Sequence, residues 1–372
     1  MSKKINVAII GVGGFGEEFI PIYQNHPDAE LYAICSRTSE TVNAKAKKYN
    51  VEKTYTDYAE MLKNKEIDAV HIITPADTHG PITLDCLKSE KHTACTVTMG
   101  TTVEECRQIV RLRRKIGVNY MMMETQAYTR EFLYVKKLKD EGKLGKIQFL
   151  RGIYMQNMEA WGYPWPGFPP LCYSTHSICP TSLLADAPVE WVFASGSGKI
   201  GDDLIEKWGN PFSVETMLVG FKGSDIKAMV IRSVNDFVRQ YVEGFDAYGQ
   251  KLSFEYTSLS NENPILFTGQ EDAQRISIPD TGDMLPKEIA RFTRTSDILD
   301  DAAKQELSFI QGAGHGGSHP HLVHEFIRSI LEKRDSAIDA ELSANWTSAG
   351  LLGHKSALEG GKKIYLPDFW EL

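Results

Sequence analysis

The sequence lacks paired cysteines, a long basic run and a long apolar run, and each absence excludes a class of protein. Its six cysteines, at 35, 86, 95, 106, 172 and 179, include no Cys-x-x-Cys pair, which leaves no zinc-ribbon or dithiol redox signature. Scattered in this way, with Cys35 and Cys95 on expected buried strands, they read as free thiols in a reducing compartment, and a cytoplasmic protein is expected. Lys and Arg number 41 against 49 Asp and Glu, for a net charge of −8. A nucleic-acid binder needs a basic face, and none is expected here. The basic run Arg111, Arg113, Arg114, Lys115 is short; it closes an amphipathic stretch and reads as a solvated helix C-terminus. The apolar run Ile5 to Ile10 has strand length. No stretch reaches the ~18 apolar residues of a membrane span, and the N-terminus lacks the longer apolar region and cleavage site of a signal peptide. No membrane partner is expected.

What is present is an ordinary globular composition, 42% apolar and 24% charged over 372 residues, long enough for two domains at roughly 150 residues each. The first part alternates short apolar strands with helical patterns. Strands are expected at Lys4–Ile10, Glu30–Cys35, Asp68–Ile73, His92–Cys95 and Asn119–Met123, and helices at Phe15–Asn25, Ser39–Tyr49, Tyr58–Lys63, Gly80–Ser89 and Thr102–Lys115. Near-continuous apolar strands separated by helices imply a doubly wound parallel sheet covered on both faces. After a helix at Thr129–Glu141 the strands lengthen: Lys146–Met155, Val214–Phe221, Asp225–Val234, Arg239–Tyr248 and Lys251–Thr257. The turns Lys222-Gly223-Ser224 and Gly249-Gln250 suit antiparallel hairpins. The fold class is therefore α/β: a Rossmann domain over 1–125, then an α+β domain over 126–372 with a large open, mostly antiparallel sheet. A partner subunit, in a homodimer or homotetramer, would cover the open face. Late helices near His321–Lys333 and Glu341–Glu359 are placed to pack back on the first domain.

The stretch Gly11-Val12-Gly13-Gly14-Phe15-Gly16 follows the first strand and opens the first helix. In such a motif the first glycine allows a tight turn, the second admits a pyrophosphate, and the third lets the helix pack on the strand. Gly11, Gly13, Phe15 and Gly16 are thus candidate cofactor contacts. A carboxylate closing the second strand would favour NAD. Here Ser36 leaves room for a 2′-phosphate and Arg37 is able to pair with it, so the cofactor is NAD or NADP.

Further motifs accompany the turn: Thr74-Pro75 with His79, Lys91-His92, and Gly142-Lys143-Leu144-Gly145-Lys146-Ile147. With the glycine motif, they resemble the glucose–fructose oxidoreductase/inositol dehydrogenase (Gfo/Idh/MocA) family over essentially the whole chain. The resemblance implies NAD(P)-dependent oxidation or reduction of sugars and cyclitols, with Thr74, Pro75, His79 and Thr96 near the cofactor. Most of that family carry a Glu-Lys-Pro triplet whose lysine serves the reacting hydroxyl. This sequence has Thr96-Val97-Thr98 there, and Cys172 where an aspartate usually precedes the histidine kept as His176. Valine cannot transfer a proton. A subgroup also lacking the lysine is the NAD-dependent α-N-acetylgalactosaminidase-like glycosidases. Met121-Met122, Glu124, Tyr128 and Arg130, then Tyr173 with His176, and Gly314-His315-Gly316-Gly317 are similar to its motifs.

His176 is the candidate acid/base, since imidazole titrates near neutral pH; its alternative is a core helix cap. Tyr173 is a candidate phenolic acid or base, provided a neighbouring cation lowers its pKa; its alternative is core packing. Glu124 ends a strand, where α/β ligand sites lie, and its alternative is a salt bridge to Arg130. Tyr128, Arg130 and His315 are candidate substrate contacts. Trp161 and Trp165, with Tyr163 and Phe168, share a proline-rich loop at Glu159–Leu171 suited to stacking on a sugar face or to an interface. His315, His319, His321 and His324 suggest a metal at first sight, but Cys and acidic companions are missing nearby, so no metal is expected. The expected function is an NAD(P)-dependent oxidoreductase acting on a small carbohydrate. One alternative is a redox-assisted NAD-dependent glycoside hydrolase; another is a non-catalytic dinucleotide sensor.

Overall fold

A computed structural model describes residues 4–259, 262–294 and 315–372. Six parallel strands form the first sheet, in the order β3-β2-β1-β4-β5-β6. They are β1 (Ile5–Ile10), β2 (Ala29–Cys35), β3 (Lys53–Tyr55), β4 (Ala69–Ile72), β5 (His92–Cys95) and β6 (Tyr120–Met122). Every residue of β4 and β6 is buried, as strands covered on both faces must be. The covering helices are α1 (Gly14–Glu17), α2 (Ile20–Asn25), α3 (Ser39–Tyr49), α4 (Tyr58–Leu62), α5 (His79–Lys88) and α6 (Val103–Ile116). The ends of α6 are sequence-encoded: Thr102 and Glu105 form a capping box, and Gly117 adopts a left-handed conformation at the C-cap.

The single helix expected over Phe15–Asn25 is broken into α1 and α2. Pro21 has no N–H to donate to the carbonyl of Glu17, which ends the first segment. The short β3 was missed, having only three residues, none of them buried.

The second sheet has nine strands in the order β14-β13-β12-β11-β7-β10-β9-β8-β15. Following α7 (Arg130–Asp140) come β7 (Ile147–Met155), α8 (Thr175–Ala185), β8 (Val189–Ser197), α9 (Asp202–Trp208), β9 (Val214–Phe221), β10 (Lys227–Ser233), β11 (Val242–Gly249), β12 (Ser253–Glu255), β13 (Ile265–Phe267) and β14 (Ala273–Arg275). Next come α10 (Lys287–Ala290), α11 (His319–Leu331), α12 (Ala340–Leu358) and β15 (Ile364–Tyr365). Only β7 and β10 pair in parallel; all other neighbours are antiparallel.

Helix α8, absent from the sequence reading, is almost wholly buried. It presses on β7 at Gly152, where any side chain would collide with the Ser177 carbonyl. Such a helix has no polar face, so the amphipathic period that marks surface helices is missing. Strand β8 was also missed; its alternating burial ends in Gly196 and two serines.

Of the basic run expected to be solvated, Arg111 and Lys115 are exposed as expected, whereas Arg113 and Arg114 are half-buried and act as a fastening. Arg114 binds Glu341 and the carbonyls of Phe369, Trp370 and Leu372, and Arg113 pairs with Asp335. Asn119 on the first sheet's side reaches Ser329 of α11, and Thr347 of α12 accepts from the Met99 amide. The late helices thus brace both sheets.

Candidate active site

The glycine turn lies at the carboxyl end of β1. Gly11 has φ +94°, and a Cβ there would strike the Ile73 carbonyl. A Cβ on Gly16 would strike the carbonyl of Gly11. Those two glycines are demanded by chain packing. At Gly13 and Gly14 a Cβ would meet nothing within 4 Å. The turn is therefore open on one side only, a cradle that fits a pyrophosphate lying along its backbone. Because α1 has only four residues, local amides rather than a long helix dipole would meet that group.

The Gly11 amide bonds Cys35 at 2.9 Å, which sets the end of β2 beside the turn. Arg37 is exposed and makes no hydrogen bond or ion pair among the described residues. Thr74 bonds Thr78 through their hydroxyls at 2.7 Å, and Pro75 precedes that turn. His79 is interior: its Nδ1 meets the Thr98 carbonyl at 2.6 Å and its Nε2 the Thr74 carbonyl at 2.7 Å, with the Thr96 hydroxyl at 3.3 Å. Burial lowers its pKa. It ties the loops after β4 and β5 together, so its bearing on a cofactor is through those loops. Val97 is buried.

A buried ionic centre faces this turn. Glu124 follows β6 and caps the next turn through the Gln126 amide at 3.0 Å. Its Oε1 accepts from His176 Nδ1 at 2.6 Å, not from Arg130. His176 is the second residue of α8, and Pro180 cannot donate to its carbonyl, which loosens the helix at this point. Glu243 of β11 lies 3.4 Å from the same Nδ1 and 3.1 Å from His315 Nδ1, and Gln126 donates to it at 2.9 Å. Tyr241 also donates to Glu243. The rings of His176 and His315 stack with centroids 5.9 Å apart, and Phe15 of the glycine turn meets His315 edge-on at 5.7 Å. Cofactor turn and ionic centre are therefore one site.

Electrostatics here follow from burial and charge. Burial works to lower the His176 pKa, but the carboxylates of Glu124 and Glu243 outweigh it and raise it. Burial works to raise Glu243, but His176 and His315 hold it far below the usual carboxylate range. With Nδ1 turned to a carboxylate, His176 presents Nε2, which has no partner among the described residues. That is the arrangement of a base oriented by an acid.

The condition set for Tyr173 as an acid or base, a pKa lowered by a neighbouring cation, is not met. Burial pushes its phenol well up; the Arg232 charge opposes this and is outweighed. Its ring stands edge-on to His176 at 5.5 Å, and Trp165 packs against it at 4.7 Å. Trp161 stands 44% exposed, away from these contacts. Tyr163 of the same loop donates to Asp77, next to the Thr74–His79 turn. Tyr128 stacks on His321 at 6.0 Å and lines no part of the cavity beside the centre, whereas Arg130 and His315 do.

Sequence reasoning missed Glu243, Arg232, Tyr154 and Gln126. Arg232 is fully buried, 3.7 Å over the Tyr154 ring, and bonds the carbonyls of Tyr173 and Tyr154. Glu215, Arg232, Tyr154 and Glu243 stand side by side across four strands. The available signal was a charge within otherwise apolar strands, Met-Val-Ile-Arg and Val-Glu-Gly-Phe. Among the described residues no three His, Cys, Asp or Glu side chains converge to hold a metal. His319, His321 and His324 are engaged separately, with Glu18, Thr281 and His26. Gly312, Ala313 and Gly314 of the expected glycine-rich loop lie outside the described residues. No helix among the described residues is long and apolar enough to cross a membrane.

Parallel sheet, glycine turn and facing second sheet define a dinucleotide-binding Rossmann fold joined to a mostly antiparallel sheet. Residues 5–124 match the model of the oxidoreductase family with an NAD-binding Rossmann fold, GFO_IDH_MocA. Over those residues the chain is similar to the Gfo/Idh/MocA family. It is 24% identical to an alpha-N-acetylgalactosaminidase of Shewanella oneidensis, over 99% of this chain and 86% of that protein. Its fold is similar to that of scyllo-inositol dehydrogenase from Lactobacillus casei with bound NAD(H) and scyllo-inositol: TM-score 0.71, 18% identity, 98% of this chain and 99% of that one. An oxidoreductase from Agrobacterium radiobacter in complex with NAD+, L-tartaric acid and magnesium gives a TM-score of 0.78 at 14% identity, covering 99% of both chains.

Proposed function

We propose that the protein is an NAD(P)-dependent enzyme that oxidises or reduces a ring carbon of a sugar, glycoside or cyclitol, with His176 managing the proton of the reacting hydroxyl. The observation that carries this reading is the Glu124–His176 pair at 2.6 Å, its imidazole set beside a ring that touches the glycine turn. The nicotinamide, when bound, supplies the acceptor and donor of hydride. In the oxidative direction His176 Nε2 takes the hydroxyl proton, and Glu124 with Glu243 stabilises the imidazolium that forms. Arg232 holds Tyr154 and Tyr173 against the imidazole edge.

A second reading is a redox-assisted glycosidase. Val97 in place of the lysine favours it, as does the glycosidase relative. There the ketone formed at one ring carbon acidifies the neighbouring C–H. A base removes that proton, the glycosidic bond breaks by elimination, water adds, and the ring is reduced again. The free thiols support a cytoplasmic setting. Phe193 and Leu218, exposed cross-strand neighbours on β8 and β9, support a homodimer or homotetramer closed over the open sheet face.

The test is incubation with NAD+ or NADP+ and a panel of free sugars, cyclitols and aryl glycosides. A dehydrogenase accumulates reduced cofactor in step with product. A redox-neutral glycosidase shows no net reduction and leaves solvent deuterium at C2 of the released sugar. Neither signal, with any member of the panel, would refute both readings.

A further inference from the structure

A cavity of about 330 Å³ opens off the ionic centre, bounded by the start of α7, by Tyr241, by Val242 and Glu243 of β11, by Tyr256 and by His315. This is within the range of small-ligand pockets. It shares Gln126, Glu243 and His315 with the centre, so whatever fills it continues directly from a ring held at His176.

The charges along its wall are unequally satisfied. Glu243 is fully engaged by His176, His315, Gln126 and Tyr241. Glu262 pairs with Arg275 at 3.1 Å. Arg130 has neither arrangement. Its Nε donates to the Gly316 carbonyl at 3.3 Å, it joins no ion pair among the described residues, and its two terminal nitrogens bond none of them. A partly buried guanidinium left so is incompletely satisfied. Its planar fork matches a carboxylate with two parallel hydrogen bonds.

Its neighbours suit the same ligand. Gly316, at φ +64°, leaves the space beside Thr129 and Glu131 clear, since a Cβ there would press on both at about 3.2–3.3 Å. Burial pushes the Glu131 carboxyl upward, although Arg130 works against this. Tyr256 and Thr257 complete a wall rich in hydroxyls.

We propose that this cavity is a subsite for a carboxylate borne by the carbohydrate beyond its reacting ring, held by the fork of Arg130. The substrate class is then an acidic carbohydrate, such as a uronic-acid-bearing glycoside. This rests on the reading that the reacting ring lies at His176.

Calorimetry on the full NAD-loaded chain tests it without turnover, using glucuronate, glucose 6-sulfate and glucose as probes. A charge-assisted pair predicts that glucuronate binds about ten- to a hundredfold more tightly than glucose. Arg130→Gln should erase most of that preference, and Arg130→Lys should keep part of it, because lysine retains the charge but not the fork. Equal binding of glucuronate and glucose to the unaltered protein would overturn the proposal whatever the variants do. So would a preference that survives in Arg130→Gln. Glucose 6-sulfate binding as well as glucuronate would support the subsite and widen it to anions in general. A protein that binds glucuronate selectively yet shows neither cofactor reduction nor glycoside cleavage would keep the subsite and sink the proposed reaction instead.

Discussion

At the end of β2, Arg37 stands in solvent with no bond to the described protein, and at Gly13 the turn beside it is bare backbone. A short way across the same site, His176, Glu124 and Glu243 are 0 to 4% exposed and held by one another. In the proposed function the first region would recognise a ligand by staying open, with selectivity left to groups that have no other partner among the described residues. The second is fixed beforehand: its charges are already paired with one another, so in the proposed reaction little reorganisation would be left. Substitutions in the two regions should therefore separate binding from chemistry.

The sharpest separation is His176→Asn. Loss of a positioned acid/base should lower kcat by on the order of 10²–10⁴, while dinucleotide affinity measured by calorimetry stays near its original value. Full activity in the variant would remove His176 from the chemistry.

The converse is Gly13→Asp. Its Cβ enters open space, so the fold should hold its Tm, but a like charge placed against a pyrophosphate should cost a hundredfold or more in affinity, on the order of several kcal/mol. Gly16→Ala is its control within one motif. Its Cβ meets the Gly11 carbonyl, so stability should fall by about 1–3 kcal/mol. If thermal unfolding found the two variants equally stable, the division between open and packed glycines would fail.

A subtler break concerns pH. The His176 pKa is raised, so the base form appears only above the ordinary imidazole value, and the rising limb of oxidative kcat/KM should lie there. Glu124→Gln removes one of the two carboxylates that raise it, which lowers the pKa and moves the limb to lower pH. A limb that did not move, or moved upward, would dissociate Glu124 from the proton step.

The smallest effect belongs to the exposed arginine. Arg37→Ala should weaken NADP about tenfold more than NAD, the value of one charge-assisted bond in a solvated setting. Equal losses would take Arg37 out of any 2′-phosphate role.

The same contrast decided what could be read from the residues alone. Strands β1, β4 and β5 and the turn between β1 and α1 were legible because local chemistry dictates them: apolar runs, glycines and caps. The Glu124–His176 pair joins residues 52 apart in sequence, and its members were nameable singly but not as partners. Glu243 lies 118 residues from Thr125, its hydroxyl neighbour in the same centre, and nothing local to its strand points to either histidine. Helix α8 escaped because full burial erased its amphipathic period, and α1 was overextended because one proline's missing N–H outweighed the helical pattern around it. Tyr173 was nameable as a site residue, but the direction of its pKa depends on burial, which only the packed fold reveals.

The Arg114 fastening bears on how the chain acquires its shape during synthesis. The guanidinium's partners lie 227 to 258 residues downstream, and α12 packs against a sheet whose last strand ends at Met122. While the ribosome is still making the second sheet, the first sheet is already complete in sequence yet lacks one of its walls. Contacts at such separation form late and slow folding. The nascent Rossmann unit must therefore wait, with the flank destined for α12 uncovered, until residues 340–372 have emerged.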